Sequence, residues 1–571
     1  MDAMVFGATG FIGRSLVAEL LGRGQRVAAA VRRDTLTPWL TGQGVGTGGL
    51  TVVTADITRP LTGLPPARDV YNTAARFAFG LGVDEARAVN VTGALNVLRW
   101  AATLPGLRRL VHLSGYRVSG ARPDYAGLGA YEASKAEADL AVRAGARELG
   151  VPLTVANPST VIGPGQYIGL ASLAEDLWNG RLPVLPGGPD VFLPIVTVGY
   201  LARFLAEIPA SPEGEDYWVL DEGTPLLPEL VAVLAAHMGV RAPGRTVPAS
   251  LVRRLPRRIT GADPETLSFL SADRYPTASA RAFAETAGLT MPPVAGALRA
   301  WADDLVATRF GAASPWLRPY GFRDRTWVMG ETGRPAHVLL HGLPMNADLW
   351  APLAARLPGP ILAPDLPGLG RSAPAAQPLP APGLSGPASA AGSLDAWLAD
   401  LMEPVRTRPV LVAHSLACGP ALRFALAHPG RVERLVLIAP AFLQAPGPRH
   451  TRSALAAPLL RRMSAARLAA VLGLPEGPEV ASAAADLRRP GVARRVIAAM
   501  REALAEREAT RSLLSRVDVP VEIIIGSADP LTADPGHPVT EIAGAGHYPQ
   551  LTHPAEVARR LGAFPGPAGP A

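Results

Sequence analysis

The sequence predicts an α/β protein built from two successive parallel sheets, each covered by helices on both faces. In the first half, short apolar strands alternate with helical stretches, beginning with Ala3–Phe6 and Arg26–Val31. The same alternation starts again after a Gly/Pro/aromatic stretch at Gly311–Phe322. Strands that alternate with helices favour parallel pairing, because each crossover helix returns the chain to the same edge of the sheet. A chain of 571 residues is also too long for a single core.

The remaining strands are predicted from short apolar runs bounded by turn residues. In the first sheet they are a third strand before Asp56-Ile57 and the runs Asp69–Asn72, Leu110–Leu113 and Leu153–Asn157. In the second they are Thr326–Met329, His337–His341, Ile361–Pro364, Val410–His414, Leu435–Ala439 and Val519–Gly526. Beyond residue 160 or so, longer helices and Pro/Gly loops predict a smaller domain at the carboxyl edge of the first sheet.

These patterns predict two domains and a joint between them. The first domain is expected at residues 1–310, the joint at 311–322 and the second domain at 323–563, followed by a disordered tail at 564–571. The helical, Arg-rich stretch Phe442–Arg516 interrupts the second sheet before its last strands.

Composition excludes several classes of protein. Apolar residues make up 48% of the chain and charged residues 18%, which is typical of a globular protein with large cores. No apolar run is long enough to cross a bilayer, and no signal-peptide pattern opens the sequence. The single cysteine, Cys418, excludes an intrachain disulfide and favours a cytoplasmic location. The net charge of +7 is modest, and no motif indicates nucleic-acid or metal binding, so small-molecule substrates are predicted.

A glycine-rich turn directly follows the first strand. Gly7, Gly10 and Gly13 recur at every third position before a predicted helix. Glycines at such a turn let the backbone approach a pyrophosphate, and the helix N-terminus supplies free N–H groups and the positive end of the helix dipole. With a strand before the turn and a helix after it, the pattern predicts a dinucleotide site.

The end of the second strand bears on the choice of dinucleotide. Val31 is followed by Arg32 and Arg33, whereas NAD sites usually place an acid there for the ribose 2′-hydroxyl. Arginine suits a 2′-phosphate instead. The pattern favours NADP, with NAD as the alternative because Asp34 comes next.

Lys135 is the one lysine among 55 Lys and Arg residues, which predicts a site where a guanidinium cannot substitute. Tyr131 lies four residues earlier, on the same face of a predicted helix. A nearby ammonium favours the phenolate, so Lys135 is expected to lower the pKa of Tyr131 toward the working range. Its ammonium can also donate to the ribose hydroxyls of a nucleotide. Ser114, at the end of another strand, is expected to hold a substrate carbonyl.

These residues together resemble the extended branch of the short-chain dehydrogenase/reductase superfamily, which includes sugar epimerases and dihydroflavonol-reductase-like enzymes. The resemblance covers roughly residues 1–310. It also rests on Asp56-Ile57, Asn72-Thr73-Ala74-Ala75, Val89-Asn90-Val91-Thr92-Gly93 and the segment from Asn157 to Gly165. It implies a Rossmann-fold doubly wound parallel sheet, with the cofactor part at 1–160 and a small substrate domain mainly at 161–310.

The resemblance also assigns roles to single residues. It implies that Ser114, Tyr131 and Lys135 are catalytic. It implies cofactor contacts from Tyr131 and Lys135 and from Gly7, Thr9, Gly10, Phe11, Ile12, Gly13, Arg32, Arg33, Asp56, Ile57, Ala74, Ala75 and Pro158. This chain departs from the family at Asn157, where arginine is common, and at Gly115-Tyr116, where the usual second small hydroxyl residue is missing.

A second chemical motif lies at the end of the strand Val410–His414. Ser415 follows the strand and stands between Ala413 and Ala417, before a predicted helix. The pattern resembles the nucleophile elbow of α/β-hydrolases, whose usual form is Gly-x-Ser-x-Gly. The elbow demands small residues because strand and helix nearly touch, and here alanines replace both glycines.

The α/β-hydrolase resemblance covers about residues 323–563 and implies a helical cap at 442–516. It implies that Ser415 attacks a carbonyl, that His547 accepts its proton, and that Asp529 orients the imidazolium. The N–H groups of Leu343 and Leu416 are expected to form the oxyanion hole. Other acids and bases compete for the last two catalytic roles, namely Asp534, His537 and His553.

The sequence therefore predicts a bifunctional enzyme. Its first half is an NAD(P)-dependent oxidoreductase acting on a carbonyl or hydroxyl, and its second half a serine hydrolase of ester, thioester or lactone bonds. One alternative is a sugar epimerase/dehydratase joined to the hydrolase. Another is a nucleotide-binding regulatory protein with a degenerate hydrolase domain, an interpretation that the two elbow alanines support. A cap that packs on its own sheet is favoured over a cap whose arginines and apolar residues receive an amphipathic, anionic substrate. Contact between the cap arginines and a membrane surface is a third option.

Overall fold

The computed structural model describes residues 1–78, 80–119, 121–127, 129–212, 214–252, 270–374, 390–445, 453, 455–531 and 536–562. The predicted tail at 564–571 lies outside these residues. Contacts between Cα atoms divide the chain into two compact units. Unit 1 comprises Met1–Ala174, Leu182–Leu234 and Ala242–Leu305, and unit 2 comprises Glu175–Arg181, Ala235–Arg241 and Val306–Ala571.

Unit 1 is built on a seven-stranded sheet in which every pair of neighbours is parallel. The strands of this half are β1 (Ala3–Phe6), β2 (Val27–Val31), β3 (Leu50–Thr54), β4 (Asp69–Asn72), β5 (Arg109–Leu113), β6 (Leu153–Pro158), β7 (Thr160–Ile162), β8 (Leu185–Pro186), β9 (Ile195–Thr197), β10 (Asp216–Val219) and β11 (Thr246–Val247). The sheet order is β10-β6-β5-β4-β1-β2-β3. Its last six strands have the order of a dinucleotide-binding fold, whose ligand sits at the carboxyl ends of the strands.

The helices of the first half cover both faces of this sheet. They are α1 (Phe11–Gly22), α2 (Leu36–Gly42), α3 (Val83–Ala86), α4 (Gly93–Ala102), α5 (Gly129–Leu149), α6 (Leu170–Trp178), α7 (Val198–Glu207), α8 (Leu227–Met238), α9 (Ala249–Val252), α10 (Ala278–Thr286) and α11 (Val294–Ala307). One core joins the sheet to α1 and α7 through Leu16, Leu20 and Phe204. The other face packs on α4 through Val97 and Trp100.

The seventh strand of this sheet was not predicted. β10 comes from the part of the sequence assigned to the substrate domain, yet it pairs with β6. Only Tyr217 and Val219 of its four residues are buried, so the strand lacks the long apolar run that marks the central strands.

Unit 2 contains an eight-stranded sheet of mixed direction. Its strands are β12 (Tyr320–Arg323), β13 (Thr326–Gly330), β14 (His337–Leu340), β15 (Ile361–Pro364), β16 (Val410–His414), β17 (Arg434–Ile438), β18 (Val521–Gly526) and β19 (Thr540–Ile542). They follow the order β12-β13-β15-β14-β16-β17-β18-β19. The pairs β12–β13 and β13–β15 are antiparallel and the others parallel. β12 begins within the predicted joint.

The helices that follow in the second half are α12 (Ala351–Ala354), α13 (Ala390–Met402), α14 (Cys418–Ala427), α15 (Ala456–Arg462), α16 (Ala465–Leu472), α17 (Pro478–Leu487), α18 (Val492–Ala505), α19 (Arg507–Arg511), α20 (Pro549–Thr552) and α21 (Pro554–Gly562). We call α15–α19 the cap. Leu468, Val480 and Val496 of the cap join the same core as the sheet. Within the described part of the chain, no helix has the length and apolarity needed to span a membrane.

Candidate active sites

The glycine turn after β1 has the geometry of a nucleotide-binding loop. Gly7 has a positive φ of 77°, and a Cβ added there would lie 2.7 Å from the backbone of Ala74. A Cβ on Gly13 would lie 2.1 Å from the carbonyl oxygen of Gly7. Gly10 is exposed, and no side chain caps helix α1, which begins at Phe11. The turn is therefore closed by two glycines that nothing larger can replace, and it presents a helix N-terminus suited to a phosphate.

Asp34, the acid that left NAD open as an alternative, has a structural role. Its carboxylate accepts hydrogen bonds from the N–H groups of Leu36 and Thr37, both at 3.0 Å, and from the Thr37 hydroxyl at 2.8 Å. These bonds hold the pKa of Asp34 below its usual value. Arg32 and Arg33 are exposed at the end of β2. Asp34 is exposed as well, but its carboxylate already accepts three hydrogen bonds at the start of α2.

The other predicted cofactor contacts lie on loops at the same sheet edge. Asp56 follows β3 and accepts hydrogen bonds from the N–H and hydroxyl of Thr58, at 3.0 and 2.8 Å, which lower its pKa. Ile57 is packed so close to Gly93 that a Cβ there would lie 2.6 Å from Ile57 Cδ1. The remaining predicted residues are on the loop after β1, the loop after β4, the first turn of α1 and the end of β6: Thr9, Ala74, Ala75, Phe11, Ile12 and Pro158.

The structure brings Lys135 to the end of β5, beside Ser114. Lys135 is buried on α5, and its Nζ donates to the carbonyl oxygen of Leu113 at 2.6 Å. Burial lowers the pKa of Lys135 to about 8. The Ser114 hydroxyl is buried without a hydrogen-bond partner among the described residues, as is the amide of Asn157 on the neighbouring strand.

The predicted effect of Lys135 on Tyr131 is wrong for this structure. Burial raises the pKa of the Tyr131 phenol to about 12, and the adjacent carboxyl of Glu132 acts in the same direction. The ammonium of Lys135 is directed to the Leu113 carbonyl. The shift of this pKa is caused by burial and Glu132, with no contribution from Lys135 while its ammonium is bound to the Leu113 carbonyl.

Asn90 positions this helix, a role that the sequence analysis missed. It is buried, accepts a hydrogen bond from the N–H of Arg76 at 2.7 Å, and donates to the Ser134 hydroxyl at 2.9 Å. Ser134 in turn donates to the carbonyl oxygen of Tyr131 at 2.9 Å. Asn90 thus connects the loop after β4 to the turn of α5 that carries Tyr131.

In unit 2, Ser415, His547 and Asp529 form a hydrogen-bonded chain. His547 Nε2 lies 3.2 Å from Ser415 Oγ, and His547 Nδ1 lies 2.9 Å from Asp529 Oδ2. Nδ1–H donates this hydrogen bond to the carboxylate of Asp529, which leaves Nε2 as the acceptor for the serine hydroxyl. Of the competing residues, His553 shares a hydrogen bond with Thr552 at 2.9 Å, His537 makes no such contact with Ser415, and Asp534 lies outside the described residues.

The turn at Ser415 has the strained backbone of a nucleophile elbow. Ser415 has a φ of 53° between β16 and the helical turn that precedes α14. Ala413 and Ala417 are both fully packed, with exposed fractions of 0% and 1%. The two alanines therefore permit the elbow that glycines usually form.

The loop after β14 is held against the elbow. A Cβ on Gly342 would lie 2.7 Å from Ser415 Cβ, so only glycine permits this approach. His341 fixes the loop, with Nδ1 donating to the Gly342 carbonyl at 3.0 Å and Nε2 accepting from the N–H of Leu366 at 2.9 Å. Tyr548 donates to the Leu343 carbonyl at 2.9 Å. Leu343 and Leu416, the predicted oxyanion-hole donors, thus flank Ser415 from this loop and from the elbow.

Two further residues that sequence reasoning missed position His547. His414, fully buried next to Ser415, donates from Nε2 to the carbonyl oxygen of His547 at 2.9 Å. Burial and the neighbouring His547 ring hold the pKa of His414 well below its usual value. A Cβ on Gly526 would lie 2.2 Å from the carbonyl oxygens of Ala545 and Gly546, so glycine lets the loops that carry Asp529 and His547 meet.

Two family models match separate parts of this chain. Residues 3–175 match the NAD dependent epimerase/dehydratase family and residues 338–560 match the alpha/beta hydrolase family. A sterol demethylase protein B from Methylococcus capsulatus is 31% identical over 242 residues, which are 39% of this chain and 70% of that protein. A 2-alkyl-3-oxoalkanoate reductase from Stenotrophomonas maltophilia is 31% identical over 258 residues, which are 42% of this chain and 76% of that protein. The chain belongs to the NAD dependent epimerase/dehydratase family.

The second half of this epimerase/dehydratase family member is an alpha/beta hydrolase domain. The predicted Rossmann-type sheet and the predicted hydrolase fold are both confirmed. Among solved structures, the terminal R domain from the myxalamid PKS-NRPS biosynthetic pathway is 20% identical to this chain. The match covers 55% of this chain and 92% of that domain, with a TM-score of 0.44. Membership in a family defined by its use of NAD, together with the glycine turn, identifies NAD(P) as the cofactor of this enzyme.

A buried network of charges holds the cap of the hydrolase domain on its sheet. Asp486 of α17 pairs with Arg309, whose Nη2 lies 3.0 Å from Asp486 Oδ2. Asn346 donates to the same carboxylate at 2.7 Å, and Arg371 pairs with Asp348 in the same network. Burial alone would raise the pKa of Asp486, but Arg309 holds it below its usual value.

Asp486→Ala is expected to lower the free energy of unfolding of the hydrolase domain by up to about 3–5 kcal/mol, because it removes the closest carboxylate from the largely buried Arg309 and leaves it only Asp348 at 3.6 Å and the Ser482 hydroxyl. Chemical denaturation measures the change. Asp176→Ala is the matched control, since the pair of Asp176 with Arg181 is exposed and its loss costs at most about 1 kcal/mol. Equal changes in the two variants would contradict a stabilising role for the network.

Proposed function

We propose that this protein is a bifunctional enzyme that reduces a carbonyl with NADPH in its first half and hydrolyses an ester, thioester or lactone in its second. The observation that carries the proposal is the complete set of reactive groups at the carboxyl ends of both sheets. Ser114 directly follows β5, and Tyr131 and Lys135 lie on α5. In unit 2, hydrogen bonds join Ser415 to His547 and His547 to Asp529. A cytoplasmic location stays a prediction.

The proposed reduction uses the raised pKa of Tyr131. When bound, the reduced cofactor supplies a hydride to the carbonyl carbon. Ser114 donates a hydrogen bond to the carbonyl oxygen, and the Tyr131 phenol transfers its proton to that oxygen, which completes a secondary alcohol. A pKa of about 12 keeps the phenol protonated at neutral pH and ready to act as an acid. The Lys135 ammonium stabilises the phenolate that remains.

Reduction is proposed in preference to sugar epimerisation. Both curated relatives bear names of enzymes for apolar skeletons that carry oxygen, a sterol in one case and a 2-alkyl-3-oxoalkanoate in the other. We therefore place the substrate of the first half among apolar ketones, with a 3-oxo acid derivative as the leading class.

The proposed hydrolysis follows the order of the hydrogen-bonded chain. Ser415 Oγ attacks the acyl carbon while its proton passes to His547 Nε2, and Asp529 stabilises the imidazolium. The N–H groups of Leu343 and Leu416 stabilise the oxyanion. His547 then donates the proton to the leaving alcohol or thiol, and water releases the acid from Ser415 by the reverse sequence. The geometry argues against a degenerate domain, because the elbow alanines have not displaced the serine.

Assays of the purified protein test both halves of this proposal. We expect NADPH consumption with apolar ketones, and cleavage of short p-nitrophenyl esters with covalent labelling of Ser415 by a fluorophosphonate. NADPH binding without turnover on ketones or alcohols would contradict the reductase. A folded protein whose Ser415 stays unlabelled would contradict the hydrolase.

We propose NADP as the preferred cofactor. Replacing Arg32 and Arg33 by alanine is expected to raise KM for NADPH by about 10- to 100-fold, because hydrogen bonds from charged donors to the 2′-phosphate are lost. KM for NADH should change little. Asp34→Asn is the control and should leave the NADPH/NADH ratio unchanged, since Asp34 is engaged by α2. A large gain in KM for NADH in Asp34→Asn would instead indicate an NAD site.

A further inference from the structure

The cap carries the most exposed large apolar side chains in the described part of the chain. Leu455, Leu459 and Val471 are 78%, 68% and 64% exposed, whereas the next, Leu251, is 50% exposed. All three lie within one stretch of the sequence, on or beside α15 and α16. Exposed apolar residues are ordinary when scattered, but a group of them marks an interaction surface.

Each of the two helices has exposed apolar side chains on the side that faces away from the core. Leu455 and Leu459 are four residues apart and share a face of α15, while Ala457 of that helix is buried. On α16, Leu468 is buried in the core and Val471 is exposed. We call these three exposed residues, together with Arg461, Arg462 and Arg467, the cap surface.

The charge of the same stretch has one sign. Between Leu455 and Pro475 the sequence contains Arg461, Arg462 and Arg467 and no acidic residue. All three arginines are exposed. On α16, Arg467 lies four residues before Val471 and therefore shares its face. Cationic groups interleaved with large apolar side chains match an interface that offers anionic headgroups and accessible acyl chains.

The cap surface is also close to the proposed hydrolase site. α15 packs on α18, and α18 contributes Ala499 and Ala503 to a cleft. The cleft also contains Leu416, a proposed oxyanion donor, and Phe442. The cap surface thus includes a helix that packs on one wall of this cleft.

We propose that the cap surface binds anionic lipid membranes. The arginines contact the headgroups, and the two leucines and Val471 enter the boundary between headgroups and acyl chains. The proposal concerns a surface outside the two reaction centres, so it stands independently of the reactions proposed above.

Sedimentation with lipid vesicles tests the proposal on the full chain. The protein should bind vesicles of equal phosphatidylglycerol and phosphatidylcholine, bind phosphatidylcholine vesicles weakly, and lose affinity as salt rises. The double variant Leu455→Ser, Leu459→Ser should bind at least about 10-fold more weakly. Leu140→Ser with Leu149→Ser is the matched control, because these exposed leucines lie on α5, and it should bind like the wild type.

Circular dichroism and the thermal unfolding midpoint show whether each variant is folded. Both should stay close to the wild-type values in the two double variants, since all four leucines are exposed. Absence of vesicle binding, or binding that the Leu455/Leu459 variant retains, would overturn the proposal. So would a wild-type dimer that dissociates in this variant, because a second copy of the chain would then occupy the surface.

Discussion

Replacing Ser415 by alanine is expected to lower kcat for ester hydrolysis by about 10⁴- to 10⁶-fold, because no other group in the site can form the acyl intermediate. The hydrogen bond from the Ser415 hydroxyl to His547 Nε2 shows that the base already faces the nucleophile. Hydrolysis of p-nitrophenyl esters measures the rate, and the same variant should lose covalent labelling by a fluorophosphonate.

His553→Ala is the control for the Ser415 variant. His553 was a competing base in the sequence, but its hydrogen bond is to Thr552. The variant should hydrolyse esters at close to the wild-type rate. If His553→Ala lost activity and His547→Ala retained it, the assignment of the base would be contradicted.

Replacing Lys135 by methionine is expected to lower kcat/KM for carbonyl reduction by about 100- to 10,000-fold, because the phenolate of Tyr131 loses its stabilising cation. Lys135→Arg should lose nearly as much, since the planar guanidinium does not fit the buried place of a compact ammonium. The rate of NADPH consumption, with the secondary alcohol identified as product, measures kcat/KM for both variants. Full activity of Lys135→Arg would show that a guanidinium can replace the ammonium at this site, and would contradict the prediction.

The same methionine variant is expected to be more stable than the wild type at neutral pH. Burial lowers the pKa of Lys135 to about 8 from the value of 10.5 for a solvated lysine. Below pH 8 the ammonium is charged in both states, so the folded protein bears the full cost of burying it. Between pH 8 and 10.5 the folded state releases the proton first, and stability rises with pH. The advantage of Lys135→Met in Tm should therefore be largest below pH 8 and fall above it.

The positions of the reactive groups could be predicted from the sequence because local motifs encode them. A strand, a glycine turn and a helix fix Gly7, Gly10 and Gly13, and the structure gives two of these glycines contacts that exclude any side chain. The elbow at Ser415 was predicted even though alanines stand in place of its two usual glycines. In the structure the glycine that allows close packing against Ser415 is Gly342, on the neighbouring loop.

What could not be predicted depends on partners far away in the sequence or on burial. The pKa of Tyr131 depends on how deeply the phenol is packed, which its spacing from Lys135 does not reveal. Asp34 could be read as a ribose ligand until its hydrogen bonds to Leu36 and Thr37 were known. The network of Arg309 and Asp486 joins residues 177 positions apart, and neither carries a local motif.

The most direct test of two independent reaction centres is to assay both activities in the same two variants. Lys135→Met should lose NADPH-dependent reduction and hydrolyse p-nitrophenyl esters at the wild-type rate. Ser415→Ala should lose hydrolysis and reduce ketones at the wild-type rate. Loss of both activities in either folded variant, or retention of either activity in the variant designed to remove it, would contradict two separate centres in one chain.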